Sequence, residues 1–421
     1  MLDLQRRFGA AARIGGPMPQ HIFFRPEAVE RVLVSNHKAY RKGRLNAQFE
    51  VLDGLGLVTS EGDLWARQRR IAQPVFQRSR LLALGELMAE ETGRALERWS
   101  GLARAGCRFD VLPELLRLTL QSAARTLFGV DLGTRAGELG PAVDDARAFL
   151  TWRMARPFAP VWIPTPLAHR FRRAKRTLDQ LVYGLIAERR SKGASGRVDL
   201  LSALVSAVDP ETGAAMEDRQ VRDEVMTLLM AGHESTAVTL GWALFLLGSN
   251  PEIQARLREE VDGVVGHRPP AAADVAQLPY TRMVLEETLR LYPPVWAMSR
   301  QAIEEDVVAG FRVPKGCYVM LVQYAIHRLP ELWPEPEAFR PERFTASAVA
   351  SRPRYAYFPF GAGPRACIGN HFALMEAALV LAAVVQRFVV RVDAGHPVEL
   401  EPQISLRLKG GTFVTLQSRR G

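Results

Sequence analysis

The stretch Tyr357-Phe358-Pro359-Phe360-Gly361-Ala362-Gly363-Pro364-Arg365-Ala366-Cys367-Ile368-Gly369, with the apolar pattern behind it, constrains this chain more than any other. Its glycines and prolines make it unfit for the interior of a helix or strand. From Asn370 onward Phe372, Leu374, Met375, Leu379, Val380 and Val384 recur at helical spacing. A rigid, aromatic, Gly-rich loop therefore delivers one cysteine to the mouth of a long apolar helix. Backbone N–H groups and the positive helix end there favour a thiolate over a thiol. A thiolate in a loop with no room for competing side chains suits an axial metal ligand.

Four readings of Cys367 compete on the residues alone. It can be a small buried core residue, or a nucleophile paired with His371, though no further signature accompanies that pair. A zinc site needs more ligands, and the chain has no C-x-x-C pair or close Cys/His cluster. A phosphate loop fails on detail, because Pro364 lacks an N–H and Ala366 stands where G-x-G-x-x-G needs glycine. The whole pattern F-x-x-G-x-R-x-C-x-G, carried by Phe360, Gly363, Arg365, Cys367 and Gly369, resembles the haem-binding loop of the cytochrome P450 family, with no position out of place. The resemblance implies Cys367 as axial ligand of a haem b iron, with Phe360, Gly361, Arg365 and Gly369 against the haem.

A chain of 421 residues, 48% hydrophobic and 24% charged, suits one large globular unit. Cys107, Cys317 and Cys367 are far apart and odd in number, which argues against a disulfide framework and fits a reducing cytosol. The longest apolar runs, 237–248 and 377–385, fall short of the roughly 18 residues a membrane span needs. No secretory signal opens the chain, so a soluble, cytoplasmic protein is expected. The net charge of +10 invites a nucleic-acid reading, but the basic residues are scattered and almost all arginine, with no recognition module. Genomic bias, or a basic docking face for an acidic electron donor, accounts for it.

Residues 21–24 read as a strand and 26–36 as a helix with Pro26 in its first turn. Family members usually carry a proline-rich lead-in; here Met1 falls inside the first helix, so the start reads as trimmed. Residues 40–60 are too irregular for one element and too apolar for a plain surface loop, and read as a loop covering a cavity, with Phe49 and Leu52 facing it. A helix over 62–73, stopped by Pro74, puts Trp65 and Arg69 on one face. Alone they are an aromatic staple and a solvated arginine. Beside the Cys367 loop they resemble the family's W-x-x-x-R helix, which implies hydrogen bonds to a haem propionate. Residues 79–193 are mostly amphipathic helix, broken at 156–166 where Pro157, Pro160, Pro164 and Pro166 mix with Phe158, Val161, Trp162 and Ile163. Those aromatics do not suit a solvated linker; the break resembles the family's substrate lid.

Residues 218–250 form the longest helical pattern, roughly 48 Å at the helical rise. Midway, Ala231-Gly232-His233-Glu234-Ser235-Thr236 sets a glycine, an acid and hydroxyls in an apolar run. Such a conflict marks a functional site or a polar kink bonded to its own backbone. It resembles the family's A-G-x-[DE]-T-[TS] motif. The resemblance implies that Ala231 and Gly232 leave room above the haem, and that Glu234 and Ser235 manage proton delivery to dioxygen. Ser235 stands where threonine is usual, keeping the hydroxyl but losing the methyl that limits its rotamers; Thr236 is a neighbouring hydroxyl for the same task. Leu228, one turn earlier, is a candidate pocket residue.

The helix Pro279–Leu291 carries Glu287 and Arg290 at i and i+3, by themselves an ordinary surface ion pair. With Arg343 in Arg340-Pro341-Glu342-Arg343-Phe344 they resemble the family's E-x-x-R helix and partner turn, interlocked beneath the haem loop. Pro293-Pro294 then sends Val295, Trp296 and Met298 along an extended segment, core packing on the residues and a pocket wall by resemblance. Arg300 follows at another propionate position. Strands at 307–313, 318–323, 398–400, 404–408 and 412–416 suggest a small β-rich lobe whose late turn aims Ile404, Ser405 or Leu406 at the pocket.

No repeat or composition shift marks a second domain, so 1–421 reads as a single haem domain. It has no flavin or nicotinamide fingerprint, hence no fused reductase; NAD(P)H-derived electrons would arrive through a separate ferredoxin or flavodoxin and its reductase. The expected fold is mainly α with a small β-rich lobe, the cytochrome P450 fold, with haem between the long central helix and the Cys367 loop. The expected activity inserts one oxygen atom of dioxygen into a C–H or C=C bond of an apolar molecule, by a monomer. Terpenoid or fatty-acid-like substrates are favoured by resemblance over steroid or macrolide-type ones. Two rivals remain: a haem-thiolate peroxygenase, isomerase or dehydratase, against which Glu234 and Ser235 speak, and a non-catalytic haem sensor.

Overall fold

The computed structural model describes residues 1–133, 136–160, 162–192, 199–209, 213–393 and 398–419. Helices dominate, with small sheets beside them. The chain divides into two compact units, one formed by Met1–Gly43, Leu96–Leu112 and Val238–Gly421, the other by Arg44–Ala95 and Pro113–Ala237. Among the described residues no helix is long and apolar enough to cross a membrane.

The first unit is built on a sheet that joins residues 11–41 to residues 298–321. Its strands lie in the order Ala11–Ile14, Gln20–Phe23, Tyr318–Leu321, Met298–Ala302 and Tyr40–Arg41. Gln20–Phe23 runs parallel to Tyr318–Leu321, and the other pairings are antiparallel. Ile22, Phe23, Val319 and Leu321 are buried, as apolar runs covered on both faces should be. The expected helix over 26–36 splits into Pro26–Glu30 and a wider π-type turn, Arg31–Ser35. The expected strand over 307–313 is a hairpin, Asp306–Val308 against Phe311–Val313. Its two turn residues, Ala309 and Gly310, both take positive φ (48° and 83°), the geometry a two-residue hairpin turn requires. Leu400–Pro402 pairs with Leu406–Leu408, while Phe413–Ser418 lies between Arg108–Asp110 and Phe388–Arg391. The helices Pro251–Val265, Pro279–Leu291 and Asn370–Arg387 pack together beside these sheets.

The second unit is helical, with Gly62–Ala72, Ala136–Met154 and Pro166–Lys192 prominent. Phe149 stacks on Phe171 at 4.2 Å and joins the last two. Residues 40–60 are not irregular throughout: Gly43–Asn46, Ala47–Phe49 and Glu50–Asp53 are short helical turns. The bend that follows is fastened to the helix Asp218–Ser249. The N–H of Leu55 donates to Asp223 Oδ2 (2.9 Å) and that of Leu57 to Glu224 Oε2 (3.1 Å). The approach is close enough that a Cβ on Gly54 would lie 2.1 Å from Asp223 Cγ, and one on Gly56 2.1 Å from Thr227 Oγ1. Partners from a distant helix, not a local pattern, set this segment.

Candidate active site

The Cys367 loop is shaped by two glycines and by its own backbone. Gly361 and Gly363 take φ of 71° and 68°, where a side chain is strained. A Cβ on Gly363 would also lie 1.8 Å from the Leu33 carbonyl oxygen, in the π-type turn. The N–H of Gly361 donates to Phe358 O and that of Cys367 to Phe360 O, both at 2.9 Å. Three residues beyond the cysteine the helix Asn370–Arg387 begins. Cys367 forms no disulfide and is exposed, so the reading as a buried core residue fails. The zinc reading gains nothing either: among the described residues no three His, Cys, Asp or Glu side chains form a metal-holding group.

Behind the loop sits a buried charge cluster. Glu287 and Arg290 are both 0% exposed and joined twice, Nε to Oε2 at 2.6 Å and Nη2 to Oε1 at 2.8 Å. The remaining N–H groups of Arg290 donate to the carbonyls of His327 (2.9 Å), Pro336 (2.8 Å) and Ala338 (3.1 Å). Arg343 Nε lies 3.3 Å from Glu287 Oε1, which also accepts the Arg340 N–H at 2.9 Å. The pair is therefore no surface ion pair. Full pairing is what allows charge to be buried here.

On the helix Asp218–Ser249, residues 221–229 and 236–247 are buried throughout. Between them Ala231 is exposed, and Met230, Gly232 and Ser235 are half-buried, which opens a window of small side chains in an otherwise covered helix. Glu234 is buried beside it. The Ser235 hydroxyl donates to Ala231 O at 2.9 Å, and Thr236 Oγ1 to Gly232 O at 3.4 Å. Thr119 Oγ1 donates to His233 O at 2.8 Å. The helix is continuous through all six residues.

Trp65 and Arg69 are half-buried on Gly62–Ala72, and their neighbour Gln68 ties that helix to Leu55 O at 2.6 Å. Arg300 is buried on Met298–Ala302, with Nη1 donating to Ser299 O at 2.8 Å, and Arg365 is half-buried in the turn Gly363–Arg365. Phe360 and Gly369 are half-buried in the loop itself. Leu52, Leu228 and Leu406 are buried; Phe49, Trp296, Met298 and Ile404 are half-buried; Val295 is exposed. The turn 403–406 hangs on neighbouring backbone and indoles: Leu406 N–H donates to Pro294 O (2.9 Å), Trp242 Nε1 to Leu406 O (2.8 Å), and Trp296 Nε1 to Gln403 O (3.1 Å). Phe158 and Trp162 in the lid-like break are exposed, Trp162 at 78%, and Val161 lies outside the described residues. Sequence reasoning missed His327 and Gln323, which bond both backbone groups of Phe358. A lone His and Gln in a mixed apolar segment carry no pattern that would single them out.

The exposed sulfur donor on a loop where Gly363 leaves no room for a side chain fits the thiolate ligand of an iron porphyrin. The class is a haem-thiolate oxygenase. Residues 1–414 match the family described as Cytochrome P450, and the chain belongs to that family. It is a cytochrome P450 monooxygenase, with haem b on a thiolate and electrons supplied by a redox partner. It is 38% identical over 397 residues to cyclooctatin synthase of Streptomyces melanosporofaciens, covering 93% of this chain and 85% of that one. With cyclooctat-9-en-7-ol 5-monooxygenase of the same organism it shares 37% over 386 residues, covering 89% and 81%. With pentalenene oxygenase of Streptomyces avermitilis it shares 34% over 379 residues, covering 90% and 83%. The crystal structure of the cytochrome P450DA heme domain superposes with a TM-score of 0.91 at 27% identity, covering 100% of this chain and 92% of that one.

Proposed function

We propose that the chain oxygenates a terpenoid-like or fatty-acid-like apolar molecule at a C–H or C=C bond, with Cys367 as the ligand of the haem iron. The observation that supports the site assignment most is the exposed Cys367 on a loop whose Gly361 and Gly363 take positive φ and whose Gly363 has no room for a side chain. The chemistry that bound haem would supply is activation of dioxygen for transfer of one oxygen atom to the substrate. Trp65, Arg69, Arg300 and Arg365 would hold the haem's propionate carboxylates by hydrogen bonds. Phe360, Gly361 and Gly369 shape the cradle, and Glu287, Arg290 and Arg343 hold it from behind. Ala231 and Gly232 keep a space clear of side chains. Glu234 holds a proton and Ser235 Oγ passes it on: the hydroxyl that donates to Ala231 O retains lone pairs to accept, and turning about χ1 frees its proton. Thr236, with a longer bond to its own helix, is the second hydroxyl for that role.

Phe49, Leu52, Leu228, Val295, Trp296, Met298, Ile404 and Leu406 offer the substrate an apolar lining. Relatives named for pentalenene and for an alkenol support an unsaturated, terpenoid-like molecule. Residues 1–421 work as one monomeric catalytic domain in the cytoplasm, taking electrons from a ferredoxin or flavodoxin and its reductase. The test is a titration of the ferric protein with cyclic terpene hydrocarbons, terpene alcohols, fatty acids, steroids and macrolides. Terpenes or fatty acids should give the low-to-high-spin shift, then product carrying label from labelled dioxygen. Shifts by steroids or macrolides alone would overturn the substrate class, and turnover on peroxide but not on dioxygen plus electrons would favour a peroxygenase.

A further inference from the structure

We infer that His327 is the positioning residue that sets the Cys367 loop in register on the buried Glu287–Arg290 pair. The inference rests on the role proposed above for Cys367. His327 follows the short helix Gln323–Ile326 and is 0% exposed. Its carbonyl accepts Arg290 Nη1 at 2.9 Å, so its backbone is held by the charge cluster. Its ring Nε2 accepts the N–H of Phe358 at 3.0 Å, the residue that opens the loop. The Phe358 carbonyl accepts the Gln323 side-chain amide (3.2 Å) and the Gly361 N–H (2.9 Å), and Phe360 O accepts the N–H of Cys367 (2.9 Å). Hydrogen bonds and single residues thus run from Glu287 through Arg290, His327, Phe358 and Phe360 to the sulfur-bearing residue.

The chemistry of the ring singles out this role. A backbone N–H only donates, so Nε2 must carry the lone pair and the ring proton must sit on Nδ1. Nδ1 is buried and has no hydrogen-bond partner among the described residues. A ring needed only to fill space between Tyr357 and Phe358, at 5.3 and 5.4 Å, would do better as an apolar side chain. Burial, with Arg290, Arg328 and Arg352 nearby, holds the ring well below its ordinary 6.5, so it stays a neutral acceptor.

His327→Leu removes the acceptor and His327→Gln restores one through Oε1. In the holoenzyme, the Leu variant should show a several-fold larger share of thiol-type over thiolate-type reduced carbon monoxide complex. It should also show about tenfold faster amide exchange at Phe358 and Cys367. The Gln variant should return both towards wild type. A Leu variant with wild-type band ratio and exchange overturns the inference, as does a Gln variant as impaired as Leu, which would mark packing alone. Should neither variant fold, nitrogen NMR of labelled histidine in the diamagnetic ferrous carbon monoxide form decides. His327 must then be protonated at Nδ1 and not titrate between about pH 5 and 8; an Nε2–H tautomer or a titrating ring overturns it. If the wild type lacks the thiolate band, the Cys367 assignment fails instead, and the tautomer result still stands by itself.

Discussion

Asp53 ends the helical turn Glu50–Asp53, is 4% exposed, and its Oδ1 has no hydrogen-bond partner among the described residues. Burial pushes its carboxyl up from an ordinary 3.8 to about 7; Arg222 opposes the shift and Asp223 adds to it. Between those two pH values the unfolded chain has released this proton and the native chain still holds it. Stability therefore falls as pH rises, by about 1.4 kcal/mol per unit. Over roughly three units the loss approaches about 4 kcal/mol, and it persists at higher pH. That is a large part of the 5–15 kcal/mol typical, in order of magnitude, of a whole domain. Asp53→Asn keeps the shape and cannot ionise. The variant should be more stable than wild type by about 2–4 kcal/mol at about pH 8, with the difference vanishing near pH 4. Urea unfolding followed by tryptophan fluorescence across that range measures it. An Asn variant weaker at high pH would show Asp53 to be an ionised, paired group in the native chain, and a difference that does not change with pH would show its carboxyl to be unshifted; either result rules out a buried, protonated Asp53.

Three further substitutions probe the site. Glu287→Gln leaves the buried Arg290 charge without its partner and should destabilise by about 3–5 kcal/mol, read from the denaturant midpoint and the Soret-to-protein absorbance ratio; a change below about 1 kcal/mol would mean the cluster relaxes freely. Gly363→Ala drives a Cβ towards the Leu33 carbonyl at a positive φ, and should keep far-ultraviolet circular dichroism while losing bound haem. Wild-type haem content would show that the Arg31–Ser35 turn yields. Ser235→Ala should retain most electron consumption but divert it to peroxide or water; unchanged coupling to product would move the proton role to Thr236 or to water.

What was legible in the sequence was local. The bounds of Pro279–Leu291 could be read because prolines stand at its start and just beyond its end. The Cys367 loop could be read because a backbone needing positive φ at 361 and 363 accepts few residues besides glycine. What stayed hidden depends on distant partners. The pairing of Gln20–Phe23 with Tyr318–Leu321 joins segments far apart in the chain, and no periodicity announces which strands meet. The turns within 40–60 follow no local pattern, and Asp223 and Glu224 hold the bend that comes after them. By spacing alone Glu287 and Arg290 read as an ordinary surface pair, and only the resemblance to the family's E-x-x-R helix and partner turn pointed to an interlocked cluster, because burial is not visible in a sequence. His327 escaped notice for the same reason: its role lies in one ring nitrogen facing one backbone N–H.

Cys367 is proposed to supply a thiolate to haem iron. An absorption spectrum of the freshly purified, reduced protein under carbon monoxide tests it most directly. The far-red-shifted Soret band of a thiolate-ligated haem is expected in the wild type and is expected to be lost in Cys367→Ala. Absence of that band in folded, haem-loaded wild type would rule out a thiolate ligand, and its survival in the alanine variant would place the ligand at another residue.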